Sequence, residues 1–192
     1  IAVTILSIMG CGGSSGGTST ASDVCSDLTS DTFSCEQMLQ GVTAVASTNV
    51  DTLLTEVSQL DSDIGSYCSA LDSAALTDAQ DQWSTTMASV QQLEVMQFGP
   101  LDTARDQFYN WPLNDTCRID LQIATDPLAD LNTISNSRRG LNAIEYILFQ
   151  PEVLTVCAAE TDSDPGYRDV YDWQTENNAP AQKQARCDYA KR

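Results

Sequence analysis

Residues Val42 to Ile64 read VTAVASTNVDTLLTEVSQLDSDI, and this stretch alone indicates the fold class. Its apolar residues recur at spacings of three, four and seven, which places them on one face of an α-helix. They are Val42, Val45, Leu53, Leu54, Val57, Leu60 and Ile64. No proline interrupts the chain from Cys35 to about Ser69, so we predict one long amphipathic helix over that range.

A second helix is predicted from Thr77, which can act as its N-cap, with Gln80 at the capping-box position. Gly99 and Pro100 end it, because proline cannot continue the hydrogen-bond ladder of a helix. Its apolar positions again share one face: Trp83, Met87, Val90, Leu93 and Met96. Two long helices joined by a short turn form an antiparallel hairpin.

Beyond this hairpin the apolar periodicity weakens, and prolines punctuate the chain. We expect short helices at 102–110 and 117–124, and a last helix that begins near Ala179. No strand-like alternation of any length is present in the sequence. The predicted fold is all-α, an antiparallel helical bundle with long irregular connections.

Charge limits the class of partner. Nine basic and 27 acidic residues give a formal net charge of −18. Such a chain repels phosphates, so nucleic acid and anionic lipid surfaces are poor partners, whereas cations are favoured. The alternative is that the acidity only keeps the protein soluble.

The first residues form an apolar run that ends in Ile8-Met9-Gly10-Cys11. This resembles the signal remnant of a bacterial lipoprotein over 1–11, in which Cys11 is lipidated, followed by a flexible tether over 12–34. About nine apolar residues are too few to cross a bilayer, which needs ~20. We therefore expect a longer precursor and a lipid anchor in the bacterial cell envelope, periplasmic or surface exposed.

The remaining cysteines fit an oxidising compartment, because their number is even and suits disulfides. They are Cys25, Cys35, Cys68, Cys117, Cys157 and Cys187. Sequence cannot choose among the possible connectivities, although Cys25 with Cys35 is the best local pairing. A metal cluster is disfavoured, since close Cys-x-x-Cys spacing and histidine are both lacking.

Residues Arg138 to Phe149, RRGLNAIEYILF, form a nearly all-apolar segment that we expect to be a central helix. It carries Asn142 and Glu145 one helical turn apart, with Tyr146 beside them. A buried carboxylate is costly alone, so Glu145 should be protonated, paired with an arginine or bound to a cation.

This segment resembles the Gly-x-His-x-x-Glu signature of the imelysin-like family, bacterial envelope proteins also classed with metallopeptidases. Gly140 and Glu145 match, and Asn142 stands where the family has histidine. The stretches QFGPL at 97–101, WPL at 111–113 and CDYAK at 187–191 resemble the family's sequence around the signature. The likeness runs from about Gln37 to Arg192 and implies the first of two helical bundle halves, over 35–192, truncated at its C-terminus.

The resemblance implies binding of a divalent or ferric metal ion or a small ligand, linked to iron uptake. We name Glu145, Asn142 and Glu94 as candidate ligands, to which Asp102, Asp115 or Asp120 could be added. Gly140, Trp111, Arg105 and Tyr146 are expected to line the site. Alternatively, Glu145 forms an ion pair with Arg105, Arg118 or Arg138, and Asn142 bonds loop backbone.

Hydrolytic zinc centres usually include histidine, and this chain has none, so a non-catalytic binding module is the leading hypothesis. Two alternatives stay open. One is a degenerate metallopeptidase homologue. The other is a structural or interaction lipoprotein that contacts another envelope protein without a metal.

Overall fold

The computed structural model describes residues 29–30, 33–96, 105–110, 115–151 and 179–192. The helices with described bounds are α1 (Cys35–Ala70), α2 (Ser73–Glu94), α3 (Thr116–Thr125), α4 (Leu141–Phe149) and α5 (Ala179–Ala190). Short 3₁₀ turns span Leu131–Thr133 and Asn136–Arg138, and residues 105–108 are helical. The predicted all-α fold is confirmed.

Two very short strands precede α1. β1 (Thr29–Ser30) pairs with β2 (Phe33–Ser34) in antiparallel register, Thr29 opposite Ser34 and Ser30 opposite Phe33. They occupy the last residues of the expected tether. The rest of that tether, and the signal remnant with Cys11, lie outside the described residues.

The bounds of α1 confirm the long helix predicted from Cys35. Ser34 caps its start, because the Ser34 hydroxyl accepts a hydrogen bond from the Gln37 amide at 3.1 Å. At the other end Leu71 adopts a left-handed conformation, φ 53°, and its amide donates to the Tyr67 carbonyl oxygen. This reversal turns the chain directly into α2.

α2 begins earlier than predicted. Asp72 is the N-cap, and its carboxylate accepts a hydrogen bond from the Ala75 amide at 2.9 Å. Thr77 instead lies inside the helix, where its hydroxyl donates to the Ser73 carbonyl oxygen. The prediction of Thr77 as N-cap is therefore wrong. Both residue types cap helices, and the turn after Leu71 places Asp72 at the cap.

The helical hairpin is antiparallel, as predicted. Gln82 on α2 donates to the Glu56 carboxylate at 2.7 Å, and Asn49 contacts the Met96 sulfur at 3.9 Å. α2 therefore ends opposite Asn49, and the first turns of the longer α1 continue past it.

The apolar face of α1 is buried over only part of its length. Leu60 and Ile64 are buried, whereas Leu54 is 60% exposed and Val45 and Val57 are exposed as well. Sequence periodicity predicted a single buried stripe. The structure differs because the core lies at the hairpin turn, where α3, α4 and α5 join α1 and α2.

Side chains of α2 fasten α4 to the hairpin. The Trp83 indole donates to the Leu141 carbonyl oxygen at 3.1 Å, and Gln80 donates to the Leu148 carbonyl oxygen at 2.8 Å. Because these bonds reach both ends of α4, that helix is held along its length. None of the helices within the described ranges is long and apolar enough to span a membrane.

A disulfide joins α1 to α5. Cys68 and Cys187 are bonded, with their Cα atoms 5.3 Å apart and a sequence separation of 119. Cys35 and Cys117 each take part in a disulfide as well. The preferred pairing of Cys35 with Cys25 stays a prediction, because Cys25 and Cys157 lie outside the described residues.

Candidate functional site

The candidate site is built on α4, which starts at a glycine that no other residue can replace without strain. Gly140 has φ 76°, a region that side chains of L-residues rarely adopt. A Cβ atom there would lie 2.5 Å from the Phe108 carbonyl oxygen. The backbone of residues 105–108 can therefore approach the start of α4 closely, and it brings Tyr109 towards the face that carries Glu145.

Asn142 is fully buried, and both ends of its amide contact backbone. Its oxygen accepts a hydrogen bond from the Asn110 amide, and its nitrogen donates to the Ser137 carbonyl oxygen, each at 3.4 Å. These contacts bind the backbone at Asn110, which precedes α3, and at Ser137, which precedes α4, to α4 itself. They match the alternative that Asn142 bonds loop backbone, and they occupy the oxygen that a metal would need.

Glu145 is half-buried, and within the described ranges its hydrogen-bond partner is the phenol of Tyr109. The Tyr109 hydroxyl donates to Glu145 Oε2 at 3.3 Å. Burial raises the pKa of Glu145 above its ordinary value, and the hydrogen bond from Tyr109 opposes that shift. The carboxylate therefore sits where its charged form is poorly solvated.

The arginines named as ion-pair partners for Glu145 make other contacts. Arg105 pairs with Glu94 at 3.0 Å, and Arg118 pairs with Asp115 at 3.2 Å. Arg138 donates to the Gln122 side-chain oxygen at 3.4 Å. Over the described part of the chain no cationic side chain pairs with Glu145, so the proposed arginine pairing is not formed there.

Tyr109 connects Glu145 with Glu94. The pKa of Tyr109 is raised to about 12, first by burial and then by the negative charges of Glu145 and Glu94, while Arg105 lowers it. The phenol thus lies within electrostatic reach of both predicted carboxylate ligands. Periodicity gave no reason to select Tyr109, because it belongs to a short segment rather than to a long helix.

A groove of about 580 Å³ opens beside this cluster. Trp83 and Met87 of α2 form apolar walls, and Glu94, Arg105 and Tyr109 supply the polar ones. The Glu94–Arg105 pair is accessible, with about a third of each side chain exposed. A solute or ion can therefore reach Glu94 and the phenol from solvent.

A hard metal ion needs several oxygen ligands close together. No group of three histidine, cysteine, aspartate or glutamate side chains suited to a metal occurs among the described residues. Asp115 caps α3 and pairs with Arg118, while Asp120 is buried elsewhere. Asp102 and Trp111 lie outside the described ranges. Glu145 is the predicted ligand that fits a cation best, because its charge has no compensating side chain there.

Tyr146 faces a second polar cluster that the sequence analysis missed. Arg186 of α5 donates to both Asp120 oxygens, at 2.8 and 2.9 Å from one nitrogen, and the Tyr146 hydroxyl donates to Asp120 at 2.8 Å. Arg186 also lies 4.7 Å above the Tyr146 ring and donates to the Gln150 carbonyl oxygen at 2.6 Å. This cluster joins α3, α4 and α5 and has a structural role.

The sequence contains the charged residues of this cluster but does not indicate that they pair with each other. In the sequence Asp120 is a candidate only as a metal ligand, and Arg186 belongs to the polar segment of α5, which gives no sign of burial. Arginine is almost never fully buried unless paired, and Arg186 is only 1% exposed. The Asp120–Arg186 pair spans 66 residues, so local periodicity could not identify it.

Comparison with known proteins agrees with the signature around α4. The model of a protein family described as imelysin, peptidase M75, matches residues 46–192. No curated protein and no solved structure matches the chain. The family match covers most of the sequence and includes all of α4, with Gly140 and Glu145. The chain therefore belongs to the imelysin family.

Proposed function

We propose that this imelysin-family protein is a non-catalytic, cation-binding module of the bacterial cell envelope, lipid-anchored through Cys11 and linked to iron uptake. Family membership supports an imelysin-like envelope protein. The observation that carries the cation-binding role is Glu145, a half-buried carboxylate whose hydrogen-bond partner within the described ranges is a neutral phenol.

Charge balance at Glu145 supports a cation. The fully buried Asp120 has a guanidinium against it, whereas Glu145 has no such partner over the described ranges. Burial without a counter-charge disfavours the ionised carboxylate and raises its pKa. A bound cation removes that penalty, and carboxylate oxygens are the ligands that hard cations prefer. Cation binding and loss of the proton are therefore coupled at this group.

Glu94 is the second ligand in this proposal. Its ion pair with Arg105 is about one-third exposed, and such surface pairs contribute only about 0–1 kcal/mol. Exchange of Arg105 for a divalent or ferric ion therefore costs little. Tyr109 lies within electrostatic reach of both carboxylates and can complete the oxygen set together with water. Asn142 is assigned a positioning role, because its amide already bonds backbone.

Peptidase activity is not proposed for the residues of this chain. The usual hydrolytic zinc centre takes three protein ligands, commonly including histidine, and the sequence contains none. The second candidate function is an interaction lipoprotein without metal. The lack of a group of three metal-ligand residues within the described ranges favours that candidate over a peptidase.

Titration calorimetry tests the proposal. Fe²⁺, Fe³⁺ as its citrate chelate, Ca²⁺ and Zn²⁺ are titrated into the oxidised full chain and into Glu145→Gln and Glu94→Gln. Glu36→Gln, at an exposed position in the first turn of α1, is the matched control for the change in charge.

We expect saturable binding of at least one ion to the wild type and to Glu36→Gln, with loss in Glu145→Gln and weakening in Glu94→Gln. Equal binding by Glu145→Gln would remove the proposed site. No binding by any variant would favour the interaction lipoprotein.

A further inference from the structure

A second cavity, separate from the Glu94 groove, lies where the start of α4 meets the end of α5. Its volume is about 300 Å³, at the lower end of the range for small-molecule sites. Among the described residues that line it, Arg139 and Arg192 are the charged ones. The walls are mainly apolar: Phe108, Leu131, Ala143, Ile144 and Ile147. An apolar cavity with cationic groups favours an amphipathic anion.

Within the described ranges, neutral oxygens position Arg139. Its Nε and Nη2 atoms donate to the Asn136 side-chain oxygen at 3.1 and 2.6 Å, and its Nη1 atom donates to the Leu131 carbonyl oxygen. A guanidinium has five N–H donors, so two of them remain available. The side chain is held in place while its charge is not neutralised by a carboxylate within the described ranges.

Arg192 has the same type of environment. Its two terminal nitrogens donate to the carbonyl oxygens of Pro127, Leu128 and Ala129. Among the residues that the structure describes, these acceptors use part of the guanidinium's donor capacity, and all of them are neutral. In the described part of the chain the ion pairs are formed by Arg105, Arg118 and Arg186 instead.

Arg138 adds a third positive charge nearby. Its carbonyl oxygen accepts a hydrogen bond from the Tyr189 hydroxyl at 2.9 Å, and its buried Nε atom has no hydrogen-bond partner among the described residues. Burial raises the pKa of Tyr189, while the charges of Arg192, Arg138 and Arg139 all lower it. Three guanidiniums therefore act on the same phenol, in a chain whose net charge is −18.

We propose that this cavity binds a small organic carboxylate with an apolar body. The carboxylate accepts hydrogen bonds from Arg139 and Arg192, and the body contacts Ile144 and Ile147. Guanidinium and carboxylate groups match in geometry and form strong charge-assisted bonds. A fully polar anion such as inorganic phosphate fits less well, because it would leave its oxygens against apolar walls.

Octanoate is a suitable probe, with octan-1-ol as a neutral ligand that has the same apolar body. Both are titrated calorimetrically into the oxidised full chain in the presence of EDTA, so that no cation at Glu145 contributes. The variants are Arg139→Gln and Arg192→Gln. Arg118→Gln is the matched control, because it makes the same change in charge on α3, outside the cavity lining.

We expect saturable octanoate binding, weakened about tenfold or more in Arg139→Gln and in Arg192→Gln, and unchanged in Arg118→Gln. Octan-1-ol should bind more weakly than octanoate and should not distinguish the variants. Arg192 is exposed, so its variant gives a clear result even if Arg139→Gln lowers stability. The proposal is overturned if octanoate does not bind, if octan-1-ol binds equally well, or if all three variants behave alike.

Discussion

Loss of the Arg186 guanidinium should destabilise the protein more than any other single arginine substitution at a described position. In Arg186→Met the side chain keeps much of its length, but Asp120 loses three hydrogen bonds of 2.8 to 3.0 Å. Asp120 is fully buried, so its charge then lies in the core without the guanidinium that pairs with it. Breaking a buried pair in this way costs about 3–5 kcal/mol.

Urea unfolding of the oxidised chain measures this loss as a change in the free energy of unfolding. For a chain of this size it corresponds to a fall in Tm on the order of 10 °C. Arg118→Met is the control, since the Arg118–Asp115 pair has side chains about 40% exposed and such pairs contribute about 0–1 kcal/mol.

The double variant Asp120→Asn/Arg186→Met should lose less than the sum of the two single variants, because neither charge is then left alone. A loss of less than about 1 kcal/mol in Arg186→Met would contradict a buried, stabilising ion pair. Single losses that simply add would also contradict it, since the two side chains would then not be coupled.

Further predictions concern backbone, disulfide and pH. Gly140→Ala should lose about 1–3 kcal/mol of unfolding free energy because of its positive φ and a carbonyl oxygen 2.5 Å from the new Cβ. Gly65→Ala, within α1 and with open space around it, should instead gain about 0.5–1 kcal/mol, and equal effects in urea unfolding would contradict this. Cys68→Ala/Cys187→Ala should lose about 4–5 kcal/mol, because the disulfide closes a loop of 119 residues; an unchanged Tm would exclude that role. Because the pKa of Glu145 is raised, the folded protein binds the proton on this carboxyl more tightly than the unfolded chain does. Glu145 therefore contributes stability below pH 4.5, and this contribution is lost as pH rises through the folded-state pKa. The unfolding free energy of the wild type minus that of Glu145→Gln should therefore fall as pH rises over that range. A difference that does not change with pH would refute the raised pKa.

The helices of this fold could be predicted because their apolar residues repeat locally. The bounds of α1 and the position of α4 follow from the apolar pattern, and the start of α5 near Ala179 is expected after a polar turn region; the structure confirms all three. The start of α2 was misplaced because Asp72 and Thr77 both suit an N-cap, and only the sharp turn at Leu71 selects between them.

Burial along α1 could not be predicted from the helix itself. The same apolar pattern continues through Leu54 and Leu60, but only Leu60 lies where other elements cover the helix. Which part is covered depends on where α3, α4 and α5 pack, and that is a property of the whole fold.

The sequence predicts the carboxylate of the candidate site, Glu145, but not the residue that contacts it. Glu145 is conspicuous because it interrupts an apolar helix, and a half-buried carboxylate needs compensation. Tyr109 is 36 residues away in sequence, so no local pattern connects the two. The same holds for the guanidiniums of Arg139 and Arg192. Arg139 precedes α4 and Arg192 follows α5, yet both line one cavity.

Equilibrium dialysis of the oxidised full chain against ferric citrate and against Ca²⁺, with wild type and Glu145→Gln compared at equal concentration, tests cation binding at Glu145 most directly. We predict that the wild type retains at least one of these ions at saturation and that Glu145→Gln retains none. Equal retention by the two proteins, or none by either, would contradict a cation site at this carboxylate.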